Sequence, residues 1–454
     1  MKIALLAPAG AMHRYNGSFS VALHYAPLTL TTLAALVPEE LEAEIELYDE
    51  TAQFIPADLE ADLIGITAIT GTSQRAYRWA DWFRSRGITV VLGGVHPTLM
   101  PEEAAQHADA VVVGYAEETW PQLLRDFQAG TLQPYYRMKP DFAMGGRPRP
   151  KRHLLKKSRY ITLNSVEATR GCLHDCSFCV VPSAWGRSVL TRPVREVVEE
   201  VEALPGKDVI FIDVNLIANP PYAKQLFREL APLNKWWFGL VTSNIVRNQE
   251  LFDLMVKSGC KGVLIGFESL TAPSLQSINK SFNKVEEYHA LVGKLHDAGI
   301  GINGTFVFGT DGDDPSVFEQ NVGMIQKLKI DLPRYSLMTP FPGTGLYRSL
   351  QQQGRITEKD WALFDVEHCV IQPAGMSPEA LEAGLEWAWK ETYTFGSILE
   401  RIPSMSMRFA LNALTNLGYR KYARKLPRFT REVMLDNSDV PLPEKNLKTR
   451  RGVA

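Results

Sequence analysis

The sequence predicts an α/β protein in three parts: an N-terminal doubly wound, Rossmann-like domain, a partial (β/α)6 barrel of the TIM type, and a helical C-terminal region. Three observations predict it. Short runs rich in Val, Ile and aromatic residues alternate with helical patterns up to about residue 350. The alternation is interrupted once, by the Pro-, Gly- and basic-rich stretch QPYYRMKPDFAMGGRPRPKRHLLKKSR. Past about residue 350 helical periodicity takes over. The expected boundaries are 1–132 for the first domain, 133–158 for a linker, 159–350 for the barrel and 351–454 for the C-terminal region.

The first domain has five strand candidates: KIALLAP (2–8), EAEIELYD (42–49), DLIGITAIT (62–70), ITVVLGG (88–94) and ADAVVVG (108–114). Helical stretches such as 73–86 lie between most of them. Five such strands predict an open sheet that binds a ligand beyond its strands' C-terminal ends, where Gly71, Gly93, Gly94 and Gly114 fall. A second series begins at Tyr160 with YITLNSVEATRG. It continues through DVIFIDVN (208–215), WWFGLVTSN (236–244), GVLIGFES (262–269), GINGTFVFG (301–309) and RYSLMTP (334–340). Each is followed by a helical pattern. Six units are too few for a closed eight-stranded barrel and suit one open on one side, with its site at the C-terminal rim. The last region carries LGYRKYARKLPRFTRE (417–432), which reads first as a solvated helix face and second as a contact for an anionic membrane surface. The ending VPLPEKNLKTRRGVA (440–454) reads as disordered.

Composition bounds the partners. Apolar residues make up 45% and charged residues 22%, as in an ordinary soluble globular protein. A formal net charge of -2 supplies no basic field for nucleic acid. No apolar run approaches a membrane span, and MKIALLAPAG is too short in its apolar run for a signal peptide. Five cysteines without a paired framework fit a reducing cytoplasm.

Three of those five, Cys172, Cys176 and Cys179, fall within GCLHDCSFC. The C-x3-C-x2-C spacing lets three thiolates converge on a cube-shaped iron–sulfur cluster, whereas a structural zinc site wants a fourth ligand, usually from a second pair. Cys260 and Cys369 are isolated and read as core residues. The loop follows a barrel strand, where a catalytic centre belongs. Three ligands leave one iron open to a substrate or cosubstrate.

Cys172, Cys176 and Cys179, with the aromatic Phe178 before the last, resemble the CxxxCxΦC motif of radical S-adenosylmethionine (SAM) enzymes, whose fold is the open six-unit barrel. The resemblance implies a [4Fe-4S] cluster whose free iron chelates SAM and whose electron cleaves it to a 5'-deoxyadenosyl radical. FIDVN (211–215) is similar to the family's second-strand segment, which implies a SAM-holding role for Asp213, with Asn215 beside it. GFES (266–269) is similar to the fourth-strand segment and implies a SAM contact for Glu268. GTFVFGTDGDD (304–314) and TPFPGTGLY (339–347) look like late-strand segments near adenine and substrate. Tyr335, Asp311 and His368 are candidate acid–base groups, on the expectation that they face the rim.

GGVHPTLMPEEAAQHADAVVVGYAEETW (93–120) resembles the cobalamin-binding domain often fused ahead of such barrels. That resemblance implies close backbone approach to the corrin at Gly93, Gly94 and Gly114, and hydroxyls for its nucleotide tail at Thr67, Thr70 and Ser73. The segment APAGAMHRYNGSF departs from the D-x-H-x-x-G pattern that supplies a cobalt-ligating His in many such domains. His13 therefore stands as a weak candidate, and His96 follows the wrong strand. The two resemblances together imply a cobalamin-dependent radical SAM methyltransferase that methylates an unactivated carbon of a small molecule or lipid. They also imply an external electron donor such as flavodoxin or ferredoxin. Two alternatives are a non-methylating cyclisation or rearrangement by the same cofactors, and a non-catalytic iron–sulfur electron-transfer protein. The FIDVN and GFES segments count against the second, since an electron carrier needs no SAM pocket.

Overall fold

Near-continuous apolar runs, as in the first predicted strands, require burial on both faces of a sheet. The computed structural model, which describes residues 1–10, 25–401, 409–432 and 440–441, supplies it. The first sheet consists of β1 (Lys2–Ala7), β2 (Glu44–Asp49), β3 (Leu63–Thr67), β4 (Thr89–Gly93), β5 (Ala110–Val113) and β6 (Tyr135–Arg137). All its pairings are parallel, in the order β2-β1-β3-β4-β5-β6. Ile3 and Leu5 pack with Leu30 and Trp120 from helices on one face. Ala4, Leu6, Ile64 and Ile66 pack with Tyr77, Trp79 and Phe83 from helix Ser73–Ser85 on the other. β6 arises inside the stretch read as linker, pairing with Val111–Val113. Three residues hemmed by Pro134 and Pro140 are too few for a strand period to stand out.

The second sheet consists of β7 (Ser165–Val166), β10 (Asp208–Phe211), β11 (Trp236–Leu240), β12 (Cys260–Glu268), β13 (Gly301–Phe308) and β14 (Leu332–Leu337). It is parallel and open, in the order β14-β13-β12-β11-β10-β7. The predicted first strand, 160–171, splits. After β7 the chain turns, and β8 (Thr169–Gly171) pairs antiparallel with β9 (Val189–Thr191). The cause is Asp213, whose carboxylate accepts the backbone N–H groups of Ala168 and Thr169 and draws them out of the parallel ladder.

Helices Pro378–Thr392 and Phe409–Glu432 pack against β14, as expected for the C-terminal region. Residues 353–377 are instead mostly irregular, and the turn around Trp361 lies against the first domain. There the Trp361 indole donates to Glu103 Oε2 at 3.1 Å and its ring meets His96 edge-on at 5.5 Å. Among the described residues no helix is long and apolar enough to cross a membrane. His13 and the tail from 442 lie outside the described residues.

Candidate cofactor site

Gly171, at φ +86°, ends β8 and opens the cysteine loop. A Cβ there would stand 2.0 Å from the Ser188 carbonyl oxygen, so only glycine allows the two arms of the β8–β9 hairpin to approach this closely. The loop is fastened from outside. Ser177 N–H donates to the Ile278 carbonyl at 3.1 Å, and Ser177 O accepts from Leu346 N–H at 2.8 Å. Within the loop, Cys179 N–H donates to Cys176 O at 3.0 Å. Burial pushes the Cys176 thiol up to about 12 and raises that of Cys179, and each thiol feels its neighbours. Partial burial of Cys176 and Cys179 favours their neutral form until a metal takes their protons. Among the described residues no three His, Cys, Asp or Glu side chains are gathered to hold one metal ion. The C-x3-C-x2-C spacing suits thiolates that bind different irons of one cluster.

Sequence reasoning missed Lys280. Its ammonium is buried, donates to Glu268 Oε1 at 2.6 Å and lies 6.0 Å from the Phe178 ring centroid. Burial opposes its charge, but Glu268 and Cys176 outweigh that and its pKa is raised. Lys280 follows Glu268 across a helix and a loop, so no local pattern flags it. Glu268 itself holds φ +62° at a register shift in β12, an uncommon conformation for a non-glycine residue that re-aims its side chain.

Asp213 is buried, and Thr169 Oγ1 donates to it at 2.8 Å. Burial and the nearby Glu167 raise its pKa, hydrogen bonds from Thr169 and Ala168 lower it, and the balance stands at about 7. Asn215 is buried with its Oδ1 lacking any hydrogen-bond partner, an acceptor waiting for a donor. Asp213 also borders a cavity of about 1300 Å³ along the inner face of the second sheet. Ile210, Ile212, Trp236, Phe238 and Leu264 form its apolar side, and Asn303 and Arg334 its polar side.

A second chamber, of about 310 Å³, lies between the first sheet's strand ends and β8. Thr67, Gly93, Gly94 and Gly114 line it, as do Gly171 and Val214 from the barrel. A Cβ on Gly94 would meet Thr67 Oγ1 at 2.7 Å and the Ala68 backbone at 2.8 Å, so this stretch of the chamber wall requires glycine. The buried Trp185 Nε1–H on the opposite wall has no partner. That N–H can donate to an acceptor on a bound ligand. Ile212 lines both cavities.

Several predicted residues stand elsewhere. Thr70 is buried against His96 Nδ1 at 3.3 Å, and Ser73 donates to the Thr70 carbonyl at 2.8 Å; neither lines the chamber. His96 is fully buried, with Nε2 facing Glu103 at 3.3 Å, so both ring nitrogens are engaged. Tyr335 does not face the rim. It is packed against Phe308 and Trp389 on the helix-covered side of the sheet, bonded to Thr392 Oγ1 at 2.6 Å, because alternate residues of β14 point outward. Asp311 is exposed and ion-paired with Arg355 at 2.7 Å. His368 Nδ1 lies 2.9 Å from Asp365.

Comparison with known proteins agrees with this layout. Residues 166–322 match the family model of the Radical SAM superfamily and residues 19–124 that of the B12 binding domain. The chain is 31% identical over 420 residues to bacteriochlorophyllide d C-12(1)-methyltransferase of Chlorobaculum tepidum, covering 88% of this chain and 89% of that protein. It is 32% identical over 428 residues to the C-8(2)-methyltransferase of the same organism, covering 89% and 93%. Its fold is similar to that of the radical SAM methyltransferase TsrM of Kitasatospora setae, solved with cobalamin and a [4Fe-4S] cluster bound. There the TM-score is 0.67 at 18% identity, over 95% of this chain and 98% of that one.

Proposed function

The chain belongs to the cobalamin-dependent radical SAM methyltransferases, enzymes of a [4Fe-4S] cluster, SAM and cobalamin, and from that premise we propose that its substrate is a large, flat, mostly apolar ring system of the tetrapyrrole kind. The observation that carries this reading is the 1300 Å³ cavity beside Asp213, with the rings of Trp236 and Phe238 on its apolar side and Arg334 on its polar side. Such a cavity suits an aromatic macrocycle with an acidic side arm, and the two relatives above act on bacteriochlorophyllides by name.

When bound, the cluster and SAM would supply a hydrogen-abstracting radical and the cobalamin a methyl group, chemistry that no side chain provides. The protein's part is holding and shielding. Cys172, Cys176 and Cys179 are the proposed cluster ligands, with Phe178 covering one side. Asn215 Oδ1 is the proposed acceptor for a donor of SAM, and Asp213 braces the β7–β8 turn beside it. Glu268, locked by Lys280, is the proposed partner of SAM polar groups. Gly93, Gly94, Gly114 and Thr67 are proposed to face the corrin and its tail. The boundaries at 158 and 350 are likewise part of this reading, with the first domain running past 132 through β6. An external electron donor of flavodoxin or ferredoxin type would complete the system, which the reducing cytoplasm favours. Leu414, Leu417, Arg424 and Lys425 are all exposed on the last helix and support a peripheral contact with an anionic lipid surface.

The test is to supply reconstituted enzyme with SAM carrying a deuterated methyl group and a set of chlorophyllides. One labelled methyl should appear per product, with one deoxyadenosine and one S-adenosylhomocysteine, and Cys176→Ala should form none of the three. Deoxyadenosine formed without label transfer to any tetrapyrrole overturns the substrate class.

A further inference from the structure

We propose that Tyr115 and Glu117 are positioning residues that set the reach between the corrin crevice and the cysteine loop, a claim that rests on the functional reading above. The loop after β5 runs from Gly114 to Glu117, and each of these residues lines the interdomain chamber. From this short segment two side chains grip both ends of the cysteine loop. At the entry, Arg170 stands two residues before Cys172. Its Nη2 donates to Glu117 at 2.7 Å, and its guanidinium lies 4.4 Å from the Tyr115 ring centroid. At the exit, Trp185 closes the helix that begins directly after Cys179, and it stacks on Tyr115 at 5.3 Å with planes 9° apart.

The charges form a closed ring. Arg147 pairs with Glu117 at 3.3 Å and with Glu167 at 2.9 Å, and Arg170 pairs with the same two carboxylates at 2.7 and 2.9 Å. Side-chain exposure is 7% for Arg147, 11% for Glu117, and 14% for both Glu167 and Arg170. An exposed ion pair can open into water cheaply, but a buried ring cannot. Sliding the cysteine loop away from the first domain would leave a carboxylate without its guanidinium in low dielectric. Planar, shared contacts of this kind fix direction as well as distance. The ring and the stack thus tie three segments to one another: the wall of the corrin crevice, the connecting segment, and the β8 arm of the cysteine loop. Simple interdomain adhesion would need neither the bracketing of both loop ends nor residues in the chamber wall.

The experiment uses full-length protein reconstituted with iron, sulfide, cobalamin and SAM, in the variants Tyr115→Leu, Glu117→Gln and Tyr115→Phe. Arg125→Ala, which breaks an exposed pair with Glu40, serves as control. Three quantities are read: cobalamin affinity by absorbance, the magnetic interaction between reduced cluster and cob(II)alamin by electron paramagnetic resonance, and deoxyadenosine formed per methylated product. Tyr115→Leu and Glu117→Gln should retain both cofactors yet change the magnetic interaction. Methyl transfer per SAM cleaved should fall by on the order of 10²-fold, as expected for a displacement near 1 Å. Tyr115→Phe, which keeps the ring, should restore both, and Arg125→Ala should match the parent. If Tyr115→Leu fails to fold, the isosteric Glu117→Gln carries the test. Folded variants whose magnetic interaction and product ratio equal the parent's overturn the proposal and leave the functional reading standing. A parent protein that takes up no cobalamin overturns that reading, and this proposal with it.

Discussion

At the residue scale, the charges around the cysteine loop are arranged more by burial than by exposure to ligand. Lys280 donates to Glu268 beside Cys176, and that carboxylate outweighs burial in raising the Lys280 pKa. Asp213 is the less satisfied case, held at about 7 by burial against its hydrogen-bond donors. Its ordinary value is 3.8, so between there and about 7 the folded protein keeps a proton that the unfolded chain has released. Stability before SAM is bound should therefore fall as pH rises through that window, by on the order of 4 kcal/mol in the limit at about 1.36 kcal/mol per unit. Asp213→Asn, which keeps an oxygen for the Thr169 donors, should flatten the slope. Urea unfolding midpoints from pH 4 to 8 check this, and parallel slopes in both proteins would refute it. Among single residues the sequence brought forward the three cysteines, Asp213 and Glu268 as candidates because their motifs are contiguous. It misplaced Tyr335 and Asp311, since which side of a strand or loop a residue faces depends on register.

At the element scale, the cysteine loop and the glycine-lined chamber sit where strands end, while the larger cavity reaches back to the strand starts at Asp208, Trp236 and Leu332. The alternating pattern located ten of these ends within a few residues, because each strand is buried on at least one face and bounded by turn-formers. The split of the first barrel strand into β7 and β8 was not legible: it depends on Asp213, more than forty residues away, capturing two backbone N–H groups. Glycine positions carry the next prediction. Gly94→Leu would drive a side chain into Thr67 and the Ala68 backbone, at 2.7–2.9 Å for the first carbon alone, at φ +99°. It should abolish cobalamin uptake while the cluster content stays near that of the parent. Gly171→Ala should do the reverse, losing iron and labile sulfide, with a backbone penalty on the order of 1–3 kcal/mol before the clash with Ser188 is counted. Absorbance spectra and iron analysis of both variants separate the two outcomes; loss of both cofactors from each would mean that the two loops fold as one unit.

At the scale of the whole molecule, the C-terminal region acts as a brace on the open side of the barrel. Arg401 is fully buried and donates to the carbonyls of Ile330, Asp331 and Thr392 and to Asn416 Oδ1, binding the last helices to the start of β14. Arg401→Met keeps the stem but leaves those carbonyls dry. Unfolding free energy should drop by on the order of 3 kcal/mol, read from denaturant midpoints, and a change within about 0.5 kcal/mol would refute the brace. The sequence by itself determined the two parallel sheets, the break between them and the cysteine cluster, because strand periodicity, turn chemistry and ligand spacing are local properties of a chain. Tertiary structure alone decided which of those pieces meet. Trp185 stacking on Tyr115, and Glu117 pairing with both Arg147 and Arg170, are contacts between segments tens of residues apart. They are set by the packing of two sheets whose relative placement no local pattern encodes.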